Sequence, residues 1–383
     1  MSEPFGKPVS VSDIKINQPK VVEAIKEATG GKPDQVPIAV EVIDPNTKPH
    51  RDLMSISKVL AIDDDVHGFY PFMSRDNKAH VLMTNGHNLY ALPVRSKAFR
   101  SVVRKSLKAR GDPPTKNRVN EFIDDIESEA YDNGIMLPVF QRVGRIDGGF
   151  EYDLGDADHT RIRVTAEGVV KVTSGSDVIF VRNNVMLETP WADADGEFNA
   201  LRPFVNLSDH EWILYKGVIS YFISHPKVPG AEFPILAFIS GQGTSKSFLS
   251  HITQCLVDNN TIGLQTLPRK IKDIVIAMGH THLLSLDNLR YLSTQHADLL
   301  CVSATSGAFI DRALYTDSDM HVSFVQCPVL LNGIHEFYDQ PDLTERMLVL
   351  HPQVIDSSNR QSRNRLQSDF MDVMPVVFKG LLE

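Results

Sequence analysis

The chain reads as an α/β protein: a C-terminal α/β domain with a mostly parallel sheet, preceded by a smaller α+β accessory domain. Three observations predict this. Over residues 197–383, helix-like segments alternate with short, almost wholly apolar runs, as expected for strands buried on both faces between helices. Over residues 51–191, a helix is followed by short alternating runs separated by turn signals such as Asn85-Gly86. Between them lies 192–197, acidic and Gly-containing, the expected joint.

The 383 residues suffice for two or three domains, each with its own core. With 42% hydrophobic and 23% charged residues, the composition is that of an ordinary globular protein. Apolar runs such as 233–239 fall far short of the roughly 20 residues that cross a bilayer, and the N-terminus lacks a basic-then-apolar signal pattern. The expectation is a cytoplasmic protein with no membrane partner. Cys255, Cys301 and Cys327 match neither a disulfide framework nor a zinc site and read as reduced packing residues. A net charge of −9 means that any nucleic-acid contact must come from a local patch or an enclosed channel.

Residues 1–50 hold seven prolines around one helical stretch, 21–28, and read as an arm or linker with one strand at 38–43. Within 51–191, helices are predicted over 96–110 and 115–133, broken by Gly111, Pro113 and Pro114. A β-rich stretch, 135–187, follows. The first helix carries Arg100, Arg104 and Lys108 at i, i+4, i+8, beside Lys97 and Lys105, with Phe99, Val102, Val103 and Leu107 inward. That row either tracks a nucleic-acid backbone or is a solvated face. Arg360, Arg363 and Arg365 form a second basic cluster, read as a solvated loop or helix start. His280 and His282 have no partners at zinc-ligand spacing, and no G-x-S-x-G elbow points to a Ser-His-Asp hydrolase.

The apolar strand 233–239 feeds Ser240, Gly241, Gln242, Gly243, Thr244, Ser245, Lys246 and Ser247, and 248–257 then reads as a helix. A glycine-containing turn entering a helix N-terminus aims backbone N–H groups at an anion. Lysine then reaches the β and γ phosphates of a nucleotide, and the next hydroxyl binds Mg²⁺. The match to G-x-x-x-x-G-K-[ST] is imperfect. Either Ser240 and Ser245 replace both glycines, or the loop starts at Gly241 and is one residue short. Downstream, the apolar strand 282–287 ends in Asp287, suited to hold Mg²⁺ through water, and the buried strand 325–331 leads into Asn332, suited to position the attacking water or sense the γ-phosphate. Arg346 follows, where an arginine finger could meet a neighbouring subunit's nucleotide.

These residues, with Leu286-Asp287-Asn288-Leu289, Asp298-Leu299-Leu300-Cys301, the runs 305–309, 312–317 and 328–334, and Asp342-Leu343-Thr344-Glu345-Arg346 in order, closely resemble the superfamily 3-like helicase ATPases of phages, prophages and integrative elements. Such proteins often sit beside or are fused to primase modules. The resemblance covers about 201–350; the run 91–100 looks like the family's accessory domain. It implies a P-loop AAA+ core over 197–383, ATP and Mg²⁺ as cofactors, assembly into a ring, hexameric by the family pattern, single-stranded or forked DNA in the channel, and a primase or other replication protein as partner. Carried over, Lys246 and Ser247 bind phosphate and Mg²⁺, Asp287 is the Walker B acid, Asn332 is sensor 1 and Arg346 the trans-acting arginine. The segment 305–322 resembles a pore hairpin, with Arg312 at its base the better DNA candidate, because its tip is acidic.

Ser245 before the lysine departs from the pattern, and Asn288 follows Asp287 where many AAA+ proteins use Glu as the base that polarises water; the resembling family shares this Asn, so the resemblance names no base. Two functions follow: an ATP-driven DNA motor for a mobile element, or a DNA- or protein-binding scaffold whose degenerate P-loop does not hydrolyse.

Overall fold

A computed structural model describes residues 69–383 apart from 110, 134, 306, 313–319, 357, 359 and 360. The predicted arm over 1–50 and the helix after residue 51 lie outside the described residues.

Strands β1 (Tyr70–Ser74), β2 (Ala79–Thr84) and β3 (Leu89–Pro93) form an antiparallel meander. Its two turns fall at the predicted signals, with Asn77 at φ 56° and Gly86 at φ 88°. Helices α1 (Lys97–Ala109) and α2 (Lys116–Asn133) cover one face through Phe99, Val103, Leu107, Val119 and Ile123. Strand β4 (Met136–Leu137) flanks β1. A second, antiparallel sheet follows, β5 (Val143–Ile146), β6 (Gly149–Asp153), β7 (Arg161–Thr165) and β8 (Gly168–Val172), before β9 (Phe180–Val181) returns to pair with β3.

The segment 192–197 is mostly exposed and is anchored at its end. Glu197 N–H donates to Val376 O at 3.0 Å, and a Cβ on Gly196 would lie 2.3 Å from the Gly380 nitrogen. After a 3₁₀ turn (Phe198–Phe204) come α3 (Asp209–Ser224), β10 (Ile235–Ile239), α4 (Lys246–Asp258), α5 (Ile271–His280), β11 (Leu284–Leu289) and α6 (Thr294–Ala304). A hairpin of β12 (Ala308–Arg312) and β13 (Met320–Phe324) leads to β14 (Val329–Gly333), α7 (Pro341–Thr344), β15 (Met347–Leu350) and α8 (Arg363–Leu382).

The third sheet is wholly parallel, in the order β11-β14-β10-β15, and Gln265 adds a parallel bridge to Leu286. Strand residues alternate between two cores. Leu236, Phe238, Leu330 and Leu350 face α3, α4 and α8, whereas Ile235, Ala237, Ile239, Val329 and Leu331 face α5 and α6. This two-sided burial explains the unbroken apolar runs in the sequence. Two predicted strands start late for one reason: Pro234 and Pro328 cannot donate to a ladder, so pairing begins at Ile235 and Val329. The first core also takes in Val143, Tyr152, Leu154 and Ile162 of the second sheet, so it is continuous across residue 191.

Buried polar groups join the same parts. Arg142 donates to Asp258 Oδ1 at 3.0 Å, and to the carbonyls of Asp153 and Leu154 at 3.1 Å and of Leu187 and Asn259. Asp258 Oδ2 accepts from His282 N–H at 2.7 Å. Lys227 Nζ donates to Met278 O, Thr281 O and Gln141 Oε1. All three cysteines are free and buried; burial pushes the Cys255 thiol up to about 12 and Cys301 up to about 11. Among the described residues, no helix is long and apolar enough to cross a membrane.

Burial depresses the pKa of His282 to about 4, with Nε2–H donating to Phe222 O at 2.8 Å, and depresses His159 to about 4 as well. A folded-state pKa below the unfolded value of about 6.5 means the native state favours the neutral ring. Their stabilising effect is complete above pH 6.5 and is lost as pH falls toward 4. Thermal unfolding should therefore show an acid limb over that window, on the order of 3 kcal/mol from His282. His282→Gln should reduce it, leaving the His159 share; an unchanged limb in that variant would exclude His282 as a source.

Candidate functional site

The carboxyl ends of β10, β11 and β14 converge, as in open parallel sheets that bind ligands there. The loop leaving β10 runs from Ser240 to Ser245, so serines stand at both positions where the pattern has glycines. Gly243 has φ 79°, and Ser245 adopts φ 52°, ψ 27°, the left-handed region. For a non-glycine residue this costs roughly 1–2 kcal/mol. Ser245 occupies the N-cap position of α4 but makes no side-chain cap bond. Ser208, Ser293 and Ser362, by contrast, cap α3, α6 and α8 with their hydroxyls in extended conformations. Phe248 N–H is taken by Ser245 O at 3.0 Å, so the α4 N-terminus keeps the Lys246 and Ser247 N–H groups for another acceptor.

These groups open on a cavity of about 370 Å³ lined by residues 242–248, Asn288, Asn332, Gly333, Ile334, Gln361, Arg363 and Leu366. Lys246 Nζ donates to Gly241 O at 2.6 Å and lies 3.3 Å from Thr244 Oγ1. Partial burial pulls its pKa down, and the Asp287 carboxylate acts in the opposite direction. Ser247 Oγ donates to Asp287 Oδ1 at 2.9 Å. A hydroxyl and a carboxylate oxygen so placed form a hard-oxygen donor set that suits Mg²⁺. Asn332 is buried, with Nδ2 donating to Ser250 Oγ at 2.8 Å and Oδ1 accepting from Asn288 N–H at 2.9 Å.

Lys246, Ser247, Asp287 and Asn332 are therefore brought together. Arg346 is not. It precedes β15, whose Met347 pairs with Ile235 at the amino end of β10, about 16 Å along the strand from the phosphate loop. Its guanidinium is held by the carbonyl of Asp342 at 2.6 Å and by that residue's carboxylate.

Sequence reasoning missed three contributors. Arg363, at the start of α8, and Gln361 just before it line the cavity, so part of the cluster read as a solvated loop or helix start faces this cavity. Arginines at a helix N-terminus oppose the dipole, a signal that was present in the sequence. Asn206 Nδ2 donates to Thr244 O at 2.7 Å and Gln353 O at 2.6 Å, and with Ser240 Oγ to Pro352 O at 2.6 Å it ties the loop to the segment after β15. No sequence signal marks it.

The nucleic-acid candidates lie apart from this cavity. Arg104, Lys105 and Lys108 are exposed on α1, whose own sequence holds no Asp or Glu, and Arg100 is held by Asn120 Oδ1 at 2.7 Å. Arg312 ends β12; its side chain and the acidic tip lie outside the described residues. Among the described residues, no cluster of His, Cys, Asp or Glu is placed to hold a metal by itself.

Among solved structures, the apo C-terminal region of NrS-1 is 10% identical, with 85% of this chain and 68% of that chain covered and a TM-score of 0.45. A JCV helicase bound to a phenoxyphenyl acetamide is 12% identical over 48% of this chain and 50% of that one, with a TM-score of 0.27. These are loose likenesses, and the functional reading rests on the site itself. No curated protein sequence matches the chain. Residues 212–383, from the first turn of α3 through α8, match the family model described as the actinomycete integrative conjugative element replication protein.

Proposed function

We propose that the chain is an ATP-driven motor of the P-loop AAA+, superfamily 3 helicase-like type, which assembles into a ring and acts on single-stranded or forked DNA in the replication of a mobile element. The Ser247–Asp287 contact at the mouth of the uncapped α4 helix carries this reading. A phosphate-loop hydroxyl and a strand-end carboxylate that share one hydrogen bond are placed to share one cation. The strand order and the replication-protein match over 212–383 support it.

In this reading the residues 241–247 cradle the phosphates, Lys246 swings from Gly241 O to the β and γ oxygens, and Arg363 offers a second cation from the opposite wall. Mg²⁺ bound with ATP would neutralise charge developing on the leaving group. Ser247 and Asp287 would hold it. Asn332, locked by Ser250, fixes the geometry around Asn288.

The competing reading, a scaffold with a non-hydrolysing loop, draws on Ser245 in the left-handed region. A cost of roughly 1–2 kcal/mol weakens a site without abolishing it, so the motor is favoured. Steady-state ATP hydrolysis with and without single-stranded DNA tests the choice, with DNA-stimulated turnover expected. ATP binding without turnover under both conditions would leave the scaffold.

Reversing Arg100, Arg104 and Lys108 to glutamate should weaken DNA binding and lower its salt slope by up to about 3 if the α1 row contacts phosphates. An unchanged slope would make that row a solvated face.

A further inference from the structure

The cavity has an unusual wall where water must approach the γ-phosphate. Its lining includes no Asp or Glu among the described residues; Asn288 and Asn332 stand there instead. Asp287 is engaged by the Ser247 hydroxyl. The backbone explains why an amide follows Asp287. The β11–β14 register shifts between Leu286 and Leu289, and Asn288 sits in that irregularity at φ 57°. Its N–H is pinned to Asn332 Oδ1, and Asn332 in turn to Ser250 on α4. Asparagine tolerates the left-handed region, whereas glutamate there carries the usual Cβ penalty.

We infer that Asn288 is the water-positioning residue of this site, that the bulge held by Asn332 disfavours a glutamate at this position, and that hydrolysis proceeds without a side-chain base among the described residues lining the cavity. This rests on the ATPase reading above. The water oxygen bonds to the γ-phosphorus as the bond from that phosphorus to the bridging oxygen breaks. ADP leaves with the electron pair, and the water proton passes to a γ-phosphate oxygen, giving ADP and inorganic phosphate. Asn288 orients the water through its carbonyl oxygen.

Asn288→Gly, Asn288→Glu and Lys246→Ala separate the elements of this inference when the full chain is assayed with ATP, single-stranded DNA and Mg²⁺. Glycine adopts the left-handed region freely and keeps the N–H to Asn332, so Asn288→Gly should melt at or above wild type and keep its KM for ATP. Its kcat should fall about 10²-fold, the scale of losing one positioned polar group. Asn288→Glu should melt lower and turn over no faster than the glycine variant. Near-wild-type kcat in Asn288→Gly, or a glutamate variant faster than wild type, overturns the inference while Lys246-dependent hydrolysis stands. A wild-type chain that binds ATP without hydrolysing it, or hydrolysis that survives Lys246→Ala, overturns the ATPase reading and this inference with it.

Discussion

Arg346→Ala is expected to bind ATP almost as tightly as wild type and to lose turnover by about 10³- to 10⁵-fold, the worth of a supplied arginine in phosphoryl transfer. The reason is positional. Arg346 lies beside the amino end of β10, and the phosphate loop leaves its carboxyl end, so the side chain cannot reach the nucleotide of its own subunit. Acting on a neighbour's nucleotide requires release from Asp342. Mixing Arg346→Ala with Lys246→Ala should restore activity at interfaces where one subunit supplies Lys246 and the other Arg346. Turnover independent of protein concentration in a monomeric sample, with no rescue on mixing, would eliminate the ring motor.

The second large effect separates binding from chemistry. Lys246→Ala removes the only side-chain cation of the loop and should weaken ATP binding by about 10- to 100-fold, the range for a charge-assisted hydrogen bond. Arg363, which also lines the cavity, is the second cation expected to set the affinity that survives. Asp287→Asn leaves the phosphate cradle intact and should bind ATP while losing most of its turnover, since it withdraws the carboxylate that Ser247 now contacts. Calorimetric titration beside a hydrolysis assay checks both. Equal affinity and equal rates in Lys246→Ala and wild type would remove the phosphate-loop assignment.

What the sequence disclosed and what it withheld follow from how local each signal is. The parallel strands were legible because burial on both faces writes a continuous apolar run, and α1 because Phe99, Val103 and Leu107 repeat at helical spacing. Their exact starts were less so, because a proline inside an apolar run shortens the ladder without altering hydrophobicity. Ser247 and Asp287 were paired from the strand–loop–helix context, and the structure places them in contact. Arg363, Gln361 and Asn206 reach the loop only through the packing of α8 and the chain after β15, far away in sequence. The left-handed Asn288 belongs to a register shift between two strands, and no single run of residues encodes it.

The Arg142–Asp258 pair bears on how this protein can be dissected. Asp258 closes the helix whose other end opens on the candidate nucleotide cavity, and its counter-charge comes from a loop ahead of β5. A fragment beginning at residue 197 would keep every residue of the candidate nucleotide site yet leave Asp258 without its counter-charge, a loss of up to about 3–5 kcal/mol where the carboxylate stays buried. It would also expose Leu201, Tyr215 and Phe378, whose shared core includes Val143, Tyr152 and Ile162. The region ahead of residue 197 is thus part of the folding unit of residues 197–383, and a weak or aggregated fragment would report a broken foundation and say nothing of the proposed chemistry.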